Sequence, residues 1–344
     1  MSNSSSLSAP SPHVHAQLIQ IGIGYMPAAC LYAATKLKIA DLLADGPKPV
    51  SELAHASGVL EDGLYRSLRS IASLGVFRET APRMFANTPL SEALRTSLPG
   101  SARDTILFLS DPLHFRIFAE LLHPITTGGT AFQKATGLSS SEFFQHENEE
   151  TEVFNAAMTS ITTSATQALL GAYDFGDSGT LADIGGGHGA LLAAILKKHG
   201  GLRGIVFDVP HVVVGAKARI ASEGLELRCE AVGGNFFESV PSADNYILKL
   251  VIHDWDDAQA ITILENCASA MRGAKGKVML VEMVIVPGNE PDFAKWIDME
   301  MLAMAGGRER TEPEYAALFA KAGFRLARIV RSTSPYCILE AVKA

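Results

Sequence analysis

At 344 residues the chain has room for about two domains of the usual ~150 residues. Apolar residues make up 47% and charged residues 19%, which builds packed cores and excludes an extended, unfolded chain. The net charge of −8 repels phosphate backbones, so nucleic acid is not expected as a bulk partner.

In chain order, residues 1–12 (MSNSSSLSAPSP) are rich in Ser and Pro and read as a disordered tail. No Lys, Arg, Asp or Glu precedes Lys36, so the basic start of a signal peptide is missing. The apolar stretch 18–34 is interrupted by Gln20, Gly22, Gly24 and Pro27 and falls short of a membrane span. It reads as a helical segment buried on most sides and covered by a second subunit, giving a homodimer. The four cysteines, Cys30, Cys229, Cys267 and Cys337, are scattered and form no C-x-x-C pair. Reduced, mostly buried thiols, a cytoplasmic location and no metal site are therefore expected.

Helical periodicity dominates 13–170. Within it, 49–94 reads as helix, turn, helix, wing. Ser51 is the expected N-cap, Leu53, Ala54 and Val59 face inward, and Leu64, Leu68, Ile71 and Leu74 line the second helix. Gly75 ends that helix, and 76–78 pairs with 83–85. The second helix carries only Arg66 and Arg69 against Glu61 and Asp62, so a dimerising role is favoured over DNA binding. The expected domains are a winged helix over 13–105, a helical connector over 106–170 and an α/β domain over 171–344.

From about 171 strands and helices alternate. Residues 181–187 read as a strand entering a Gly-rich turn, and further strands are expected at 204–208, 226–230, 244–252 and 277–286, with helices at 191–198, 258–271 and 311–322. A closing antiparallel pair, 324–331 with 336–342, completes a mostly parallel sheet of Rossmann-like type covered on both faces.

In such sheets ligands bind beyond the carboxyl ends of the strands. Asp183-Ile-Gly185-Gly-Gly187-His-Gly189 sits at the first such end, and Asp208 follows Gly185 by 23 residues, a spacing suited to gripping ribose hydroxyls. Gly185-x-Gly187-x-x-Ala190 also satisfies the dinucleotide fingerprint, so a nicotinamide cofactor stays open. Asp183 before the glycines, and a sheet ending in a hairpin, favour S-adenosylmethionine. The fourth strand leads into Lys249-Leu-Val-Ile-His253-Asp254-Trp255-Asp256-Asp257. His253 there is a candidate base. The Asp cluster reads as a helix N-terminus, with a divalent metal site as the lesser alternative.

The ordered segments LADIGGGHG, FDVPHV, GGNFFESVPSADNYILKLVIHDWDD, GKVMLVE, DMEMLAMAGGRERTEPEY and CILEA resemble the plant caffeate/flavonoid-type and acetylserotonin-type O-methyltransferases and their bacterial relatives. The resemblance spans most of the chain and implies S-adenosylmethionine as donor and S-adenosylhomocysteine as product. It implies that 49–94 belongs to a dimerisation domain, that His253 takes the acceptor hydroxyl's proton, and that Glu282 and Glu309 flank it. It further implies cofactor contacts at Gly185, Asp208, Lys249 and Phe236, joined by Asp183, Gly187 and Trp255. Asn235 departs from the family's usual Asp, although its amide carbonyl can still accept from an adenine amino group. Met158 and Met301 match methionines that hold a flat acceptor, or are core residues. Phe115, Phe132, Phe154, Ile161, Trp296 and Met304 complete an apolar pocket suited to an aromatic or polyketide-like hydroxyl compound. A non-methylating enzyme on the same fold and a ligand-sensing winged-helix regulator are the remaining alternatives.

Overall fold

The structure, a computed structural model, describes residues 12–146 and 148–344. The expected tail lies outside the described residues except for Pro12, which opens the helix Pro12–Gly22. Two compact units emerge. One runs to Phe115 and takes in Val153–Ala157; the other comprises Arg116–Glu152 and Met158–Ala344. Residues 106–170, expected as a connector, are shared between them.

In the first unit the helices Tyr25–Lys36, Val50–Ser57 and Glu61–Ala72 enclose a core that includes Ala34, Leu53, Leu64, Leu68, Ile71, Phe77 and Phe85. Strands β1 (Lys48–Pro49), β2 (Phe77–Ala81) and β3 (Met84–Asn87) form an antiparallel wing in the order β1-β3-β2. Two local expectations fail. Pro49, not Ser51, precedes the first helix of the motif, so Ser51 lies inside it. Leu74 is 58% exposed, because the helix stops at Ala72 and Gly75, at φ +82°, reverses the chain. The apolar stretch 18–34 is two helices bent by 43° around residues 23–24. Within the chain it is not buried on most sides, since Leu18 is 65% and Ile21 76% exposed. Among the described residues no single helix is long and apolar enough to cross a membrane, although this bent pair passes by length and composition.

The second unit is built on a seven-stranded sheet. Its strands are β4 (Thr180–Ile184), β5 (Arg203–Asp208), β6 (Cys229–Gly233), β7 (Asn245–Lys249), β8 (Lys277–Glu282), β11 (Phe324–Arg331) and β12 (Cys337–Lys343). The order is β11-β12-β8-β7-β4-β5-β6, with β8 through β6 parallel and β11–β12 antiparallel. The short pair β9 (Val284–Ile285) and β10 (Arg310–Thr311) is parallel and separate. Alternation along the strands sorts the core. Ala182, Phe207, Leu248 and Leu280 face the helices Asp257–Ala270 and Glu312–Lys321, whereas Leu181, Val206, Ile247 and Val281 face Ala190–Lys198 and Val213–Ser222.

Three strands differ from expectation. β6 starts at Cys229 because Gly224, at φ +67°, and residues 225–228 are spent on a turn. β7 stops at Lys249 because Leu250 takes φ +53°, a left-handed conformation that costs a non-glycine residue roughly 1–2 kcal/mol. The stretch expected as one strand over 277–286 breaks at Met283 into β8 and β9. The order reverses at β4, between β5 and β7, so the loops after β4 and β7 meet at the sheet's switch point.

Candidate active site

After β4 the chain passes through Gly185–Gly189 into the helix Ala190–Lys198. Gly185 is at φ +68°, and a Cβ there would lie 2.7 Å from Val251 Cγ2, so both backbone and packing demand glycine. Asp183, buried beneath this turn, has one carboxylate oxygen (Oδ2) without a hydrogen-bond partner among the described residues. Burial pushes its carboxyl up to about 7; Lys249 opposes the shift and Asp208 adds to it. Burial also lowers the Lys249 ammonium, against the pull of Asp183 and Glu282. Asp208 accepts from the N–H of Gly187 at 2.8 Å and of Val209 at 2.7 Å, which pins the glycine turn to the end of β5.

Across the crevice mouth, Phe236 and Phe237 pack edge-on against Trp255 at centroid distances of 5.9 and 4.8 Å. The Trp255 indole N–H is buried with no partner among the described residues. Asn235 accepts from the Phe237 N–H at 3.0 Å and donates to Glu238 at 3.1 Å, so much of its amide is engaged in its own turn. An unpartnered buried carboxylate, a side-chain-free turn and an aromatic wall with a spare donor fit a ligand with a cationic amino-acid end, a ribose and a purine. Asp183 could hold the first, Asp208 the second, and Phe236 and Trp255 the third.

Beyond the left-handed Leu250, a 3₁₀ turn (Ile252–Asp254) presents His253. Its Nδ1 lies 2.7 Å from Glu309 Oε1 and 3.6 Å from Glu282 Oε2, and its Nε2 lies 3.6 Å from Asp254 Oδ1. The sequence-expected trio is therefore brought together from three separate segments, and all three residues are buried. Glu282 Oε1 also accepts from the N–H groups of Val251 at 3.2 Å and Ile252 at 2.9 Å, which fixes the turn to the end of β8. Burial alone would push the imidazole down. The carboxylates of Glu282, Asp254 and Glu309 outweigh it and raise His253 to about 10. Burial lifts Glu282 to about 7, against the pull of His253.

The ligand-capable atoms of His253, Glu282 and Glu309 lie within 4.8 Å of one another. Yet the 2.7 Å contact is a hydrogen bond; two ligands of one tetrahedral zinc stand roughly 3.3 Å apart at the usual bond lengths. The aspartates that read as a metal site divide into separate tasks. Asp256 caps the helix Asp257–Ala270 by accepting from the Gln259 N–H at 2.8 Å, Asp257 pairs with Arg310 at 2.8 Å, and Asp254 faces His253.

The expected acceptor residues fall in both units. In the first, Phe115 and Phe154 are half-buried, and Phe154 meets Phe108 edge-on at 5.4 Å. In the second, Phe132 is buried against Phe143 and Phe144. Met158 and Ile161 are half-buried on the helix Glu149–Ala172. On the helix Phe293–Met304, Met304 is buried, Met301 half-buried and Trp296 71% exposed. Sequence reasoning missed Arg310, which is 1% exposed, and Asp298, whose Oδ1 accepts from the Glu309 N–H at 2.9 Å. Both lie in the quoted segment DMEMLAMAGGRERTEPEY, but their spacing gives no sign that either reaches the His253 turn.

A five-stranded parallel sheet closed by an antiparallel pair, with a bare glycine turn over a buried acid, is the frame of an S-adenosylmethionine-dependent methyltransferase. Residues 118–325 match the O-methyltransferase domain and residues 19–97 the O-methyltransferase dimerisation domain, so the chain belongs to the O-methyltransferase family. It is 45% identical over 325 residues to a phenazine O-methyltransferase of Lysobacter antibioticus, covering 94% of this chain and 95% of that protein. Among solved structures it is similar to a methyltransferase of calicheamicin biosynthesis in its S-adenosylhomocysteine-bound form, with a TM-score of 0.90, 34% identity and coverage of 98% and 100%. It is also similar to an O-methyltransferase of neocarzinostatin biosynthesis in complex with S-adenosylmethionine and 2-hydroxy-5-methyl naphthoic acid, with a TM-score of 0.76, 31% identity and coverage of 93% and 96%. The chain is thus an S-adenosylmethionine-dependent O-methyltransferase. The nicotinamide reading of the glycine turn gives way, and the winged-helix pattern falls within the dimerisation domain.

Proposed function

We propose that the enzyme methylates a hydroxyl on a flat aromatic or polyketide-like metabolite, with His253 as the general base, and that it works as a homodimer through the first unit. The carrying observation is the 2.7 Å contact of His253 Nδ1 with Glu309 Oε1, both buried, with Glu282 behind them. Glu309 holds the Nδ1 proton, which leaves Nε2 to meet the acceptor hydroxyl. A phenol has a pKa of ~10 and an ordinary imidazole ~6.5, an uphill transfer of roughly 5 kcal/mol. The neighbouring carboxylates raise His253 to about 10 and bring base and acceptor level.

When bound, S-adenosylmethionine supplies an electrophilic methyl group on a cationic sulfur. Asp183, Gly185, Gly187, Asp208, Asn235, Phe236, Lys249 and Trp255 are the residues that would hold and orient it. Catalysis then rests on alignment and on removal of one proton by His253. The phenazine of one relative and the naphthoic acid held by another support a flat acceptor. So do the apolar side chains of Phe132, Met158, Ile161, Met301 and Met304 in the second unit. The exposed apolar residues of 18–26 support a second copy as their cover.

The test is His253→Gln, assayed with methyl-labelled donor against hydroxylated phenazines and naphthoic acids. Turnover should drop by roughly 10²–10⁴-fold, the contribution of a positioned base, while S-adenosylhomocysteine binding holds. Turnover close to that of the parent enzyme would remove His253 from the role.

A further inference from the structure

Among the described residues Arg310 is the one charged residue of the largest fully buried side chains, at 1% exposure. Its guanidinium is spent on the turn that carries His253. Nη1 donates to the carbonyl of Ile252 at 3.2 Å and of Arg308 at 3.4 Å, and Nη2 to the carbonyl of Trp255 at 2.9 Å. Nε and Nη2 both donate to Asp257 Oδ1, at 3.0 and 2.8 Å. The carbonyls it takes thus stand on either side of His253, one immediately before it and one two residues after. The carbonyl of His253 itself accepts from the Arg308 N–H at 2.7 Å.

The same short segment carries Glu309. Gly307 lets it lie flat on the turn, since a Cβ there would fall 2.0 Å from the His253 carbonyl oxygen. Arg310 and Thr311 pair with β9, which anchors the segment to the chain leaving β8. Burying a guanidinium is costly unless its donors are satisfied, and here its donors are directed onto backbone whose placement the chemistry needs. A fully buried arginine directed at the turns on both sides of a candidate base does more than fill space.

We propose that Arg310 is a positioning residue that holds His253 against Glu309 and, through the same guanidinium, holds Trp255 against Phe236 and Phe237. This rests on the reading of His253 as base, but its test does not depend on turnover. One planar fork reaches the carbonyls of residues 252 and 255 together, so the base and the aromatic wall of the cofactor crevice move as one piece. A lysine at this position carries one ammonium point charge and cannot reach both carbonyls and the carboxylate in the same plane.

The experiment uses the full chain with neither cofactor nor acceptor bound. The protein has two tryptophans, and Trp296 is 71% exposed, so a Trp296→Phe background leaves Trp255 as the sole indole emitter. In that background Arg310→Lys and Asp257→Asn are compared with the parent. Emission reports the Trp255 environment, and the downfield proton NMR signal of His253 Nδ1 reports its hydrogen bond to Glu309. For folded Arg310→Lys the expected result is a red shift of Trp255 emission together with loss or broadening of the Nδ1 signal. S-Adenosylhomocysteine affinity should also fall, by roughly tenfold, the usual effect of losing one good contact.

Asp257→Asn keeps the arginine but removes the charge that orients it, so both signals should move in the same direction by less. It also serves as the reporter if Arg310→Lys does not fold. Parent-like emission and an intact Nδ1 signal in a folded Arg310→Lys variant would overturn the proposal. So would parent-like signals in Asp257→Asn when Arg310→Lys is unfolded. Failure of the base assignment would show instead as normal turnover in His253→Gln, while Arg310→Lys still differs from the parent in both spectroscopic signatures.

Discussion

Replacing Glu309 with Gln removes one charge and almost no volume, which makes it the sharpest probe of the buried trio. The lost interaction is a charge-assisted hydrogen bond of 2.7 Å between buried partners. Such bonds are worth about 1.5–3 kcal/mol, which converts to roughly 1–2 pKa units on the imidazole. Carboxylates hold His253 up at about 10, so losing one moves it down towards its ordinary value. A weaker base and a freer ring should together slow methyl transfer by roughly 10²–10³-fold. The pH dependence should move as well. In the parent, kcat rises with pH as the imidazolium gives up its proton. In Glu309→Gln that rise should begin about 1–2 units lower, even though its plateau is depressed. The assay is label transfer from S-adenosylmethionine at saturating acceptor over pH 6 to about 11, one unit past the parent's limb, with cofactor affinity measured beside it. A depressed plateau with an unmoved acidic limb would refute the coupling of Glu309 to the base. An unchanged plateau would refute its part in catalysis altogether.

Two further outcomes follow from the cofactor crevice. Asp208→Asn should weaken S-adenosylhomocysteine binding by roughly 10–100-fold, the value of hydrogen bonds to a charged group, and calorimetry giving parent affinity would exclude a ribose contact. Asp183 has its folded pKa raised to about 7 from 3.8, so the ligand-free native state holds a proton that the unfolded chain has released. The stability it contributes is therefore present below pH ~4 and is lost as pH rises through about 7. Thermal melts of ligand-free protein from pH 5 to 8 should show that decline, and Asp183→Asn should flatten it; an identical slope in the variant would refute the assignment.

Much of this was legible in the sequence, for physical reasons that can be traced. The βα spacing of short apolar runs gave the parallel strands, because a sheet covered on both faces buries both sides of each strand; Leu181 and Ala182 lie in opposite cores, as do Val206 and Phe207. The boundaries that went wrong are those decided by one backbone angle. Leu250 at φ +53° ends β7 early, although nothing in YILKLVI forbids a longer strand. Leu74 keeps the helical spacing of its neighbours but lies past the helix end. His253 was a candidate base by its place after a strand, but its grouping with Glu282 and Glu309 was reached through resemblance, since residues 56 apart carry no periodic signal of contact. Arg310 was missed because its importance lies in main-chain carbonyls, which a sequence does not display.

The raised pKa of His253 is at first sight at odds with its role, because at neutral pH such a residue is already protonated and cannot accept a proton. The difficulty dissolves once histidine and acceptor are counted together. A neutral imidazole facing a phenol and an imidazolium facing a phenolate hold the same number of protons, and with base and phenol level the two forms lie close in energy. What the site has to do is make the form carrying one proton fewer accessible, and keep the remaining proton on nitrogen while the oxygen is alkylated. Glu282 and Glu309 suit that task better than they suit raising a free base, since they stabilise the imidazolium that remains beside the nucleophilic oxygen. Burial of all three excludes water that would otherwise solvate that oxygen and blunt it. Removing either carboxylate should therefore hurt most with the least acidic acceptors, whose phenolate depends most on the imidazolium beside it.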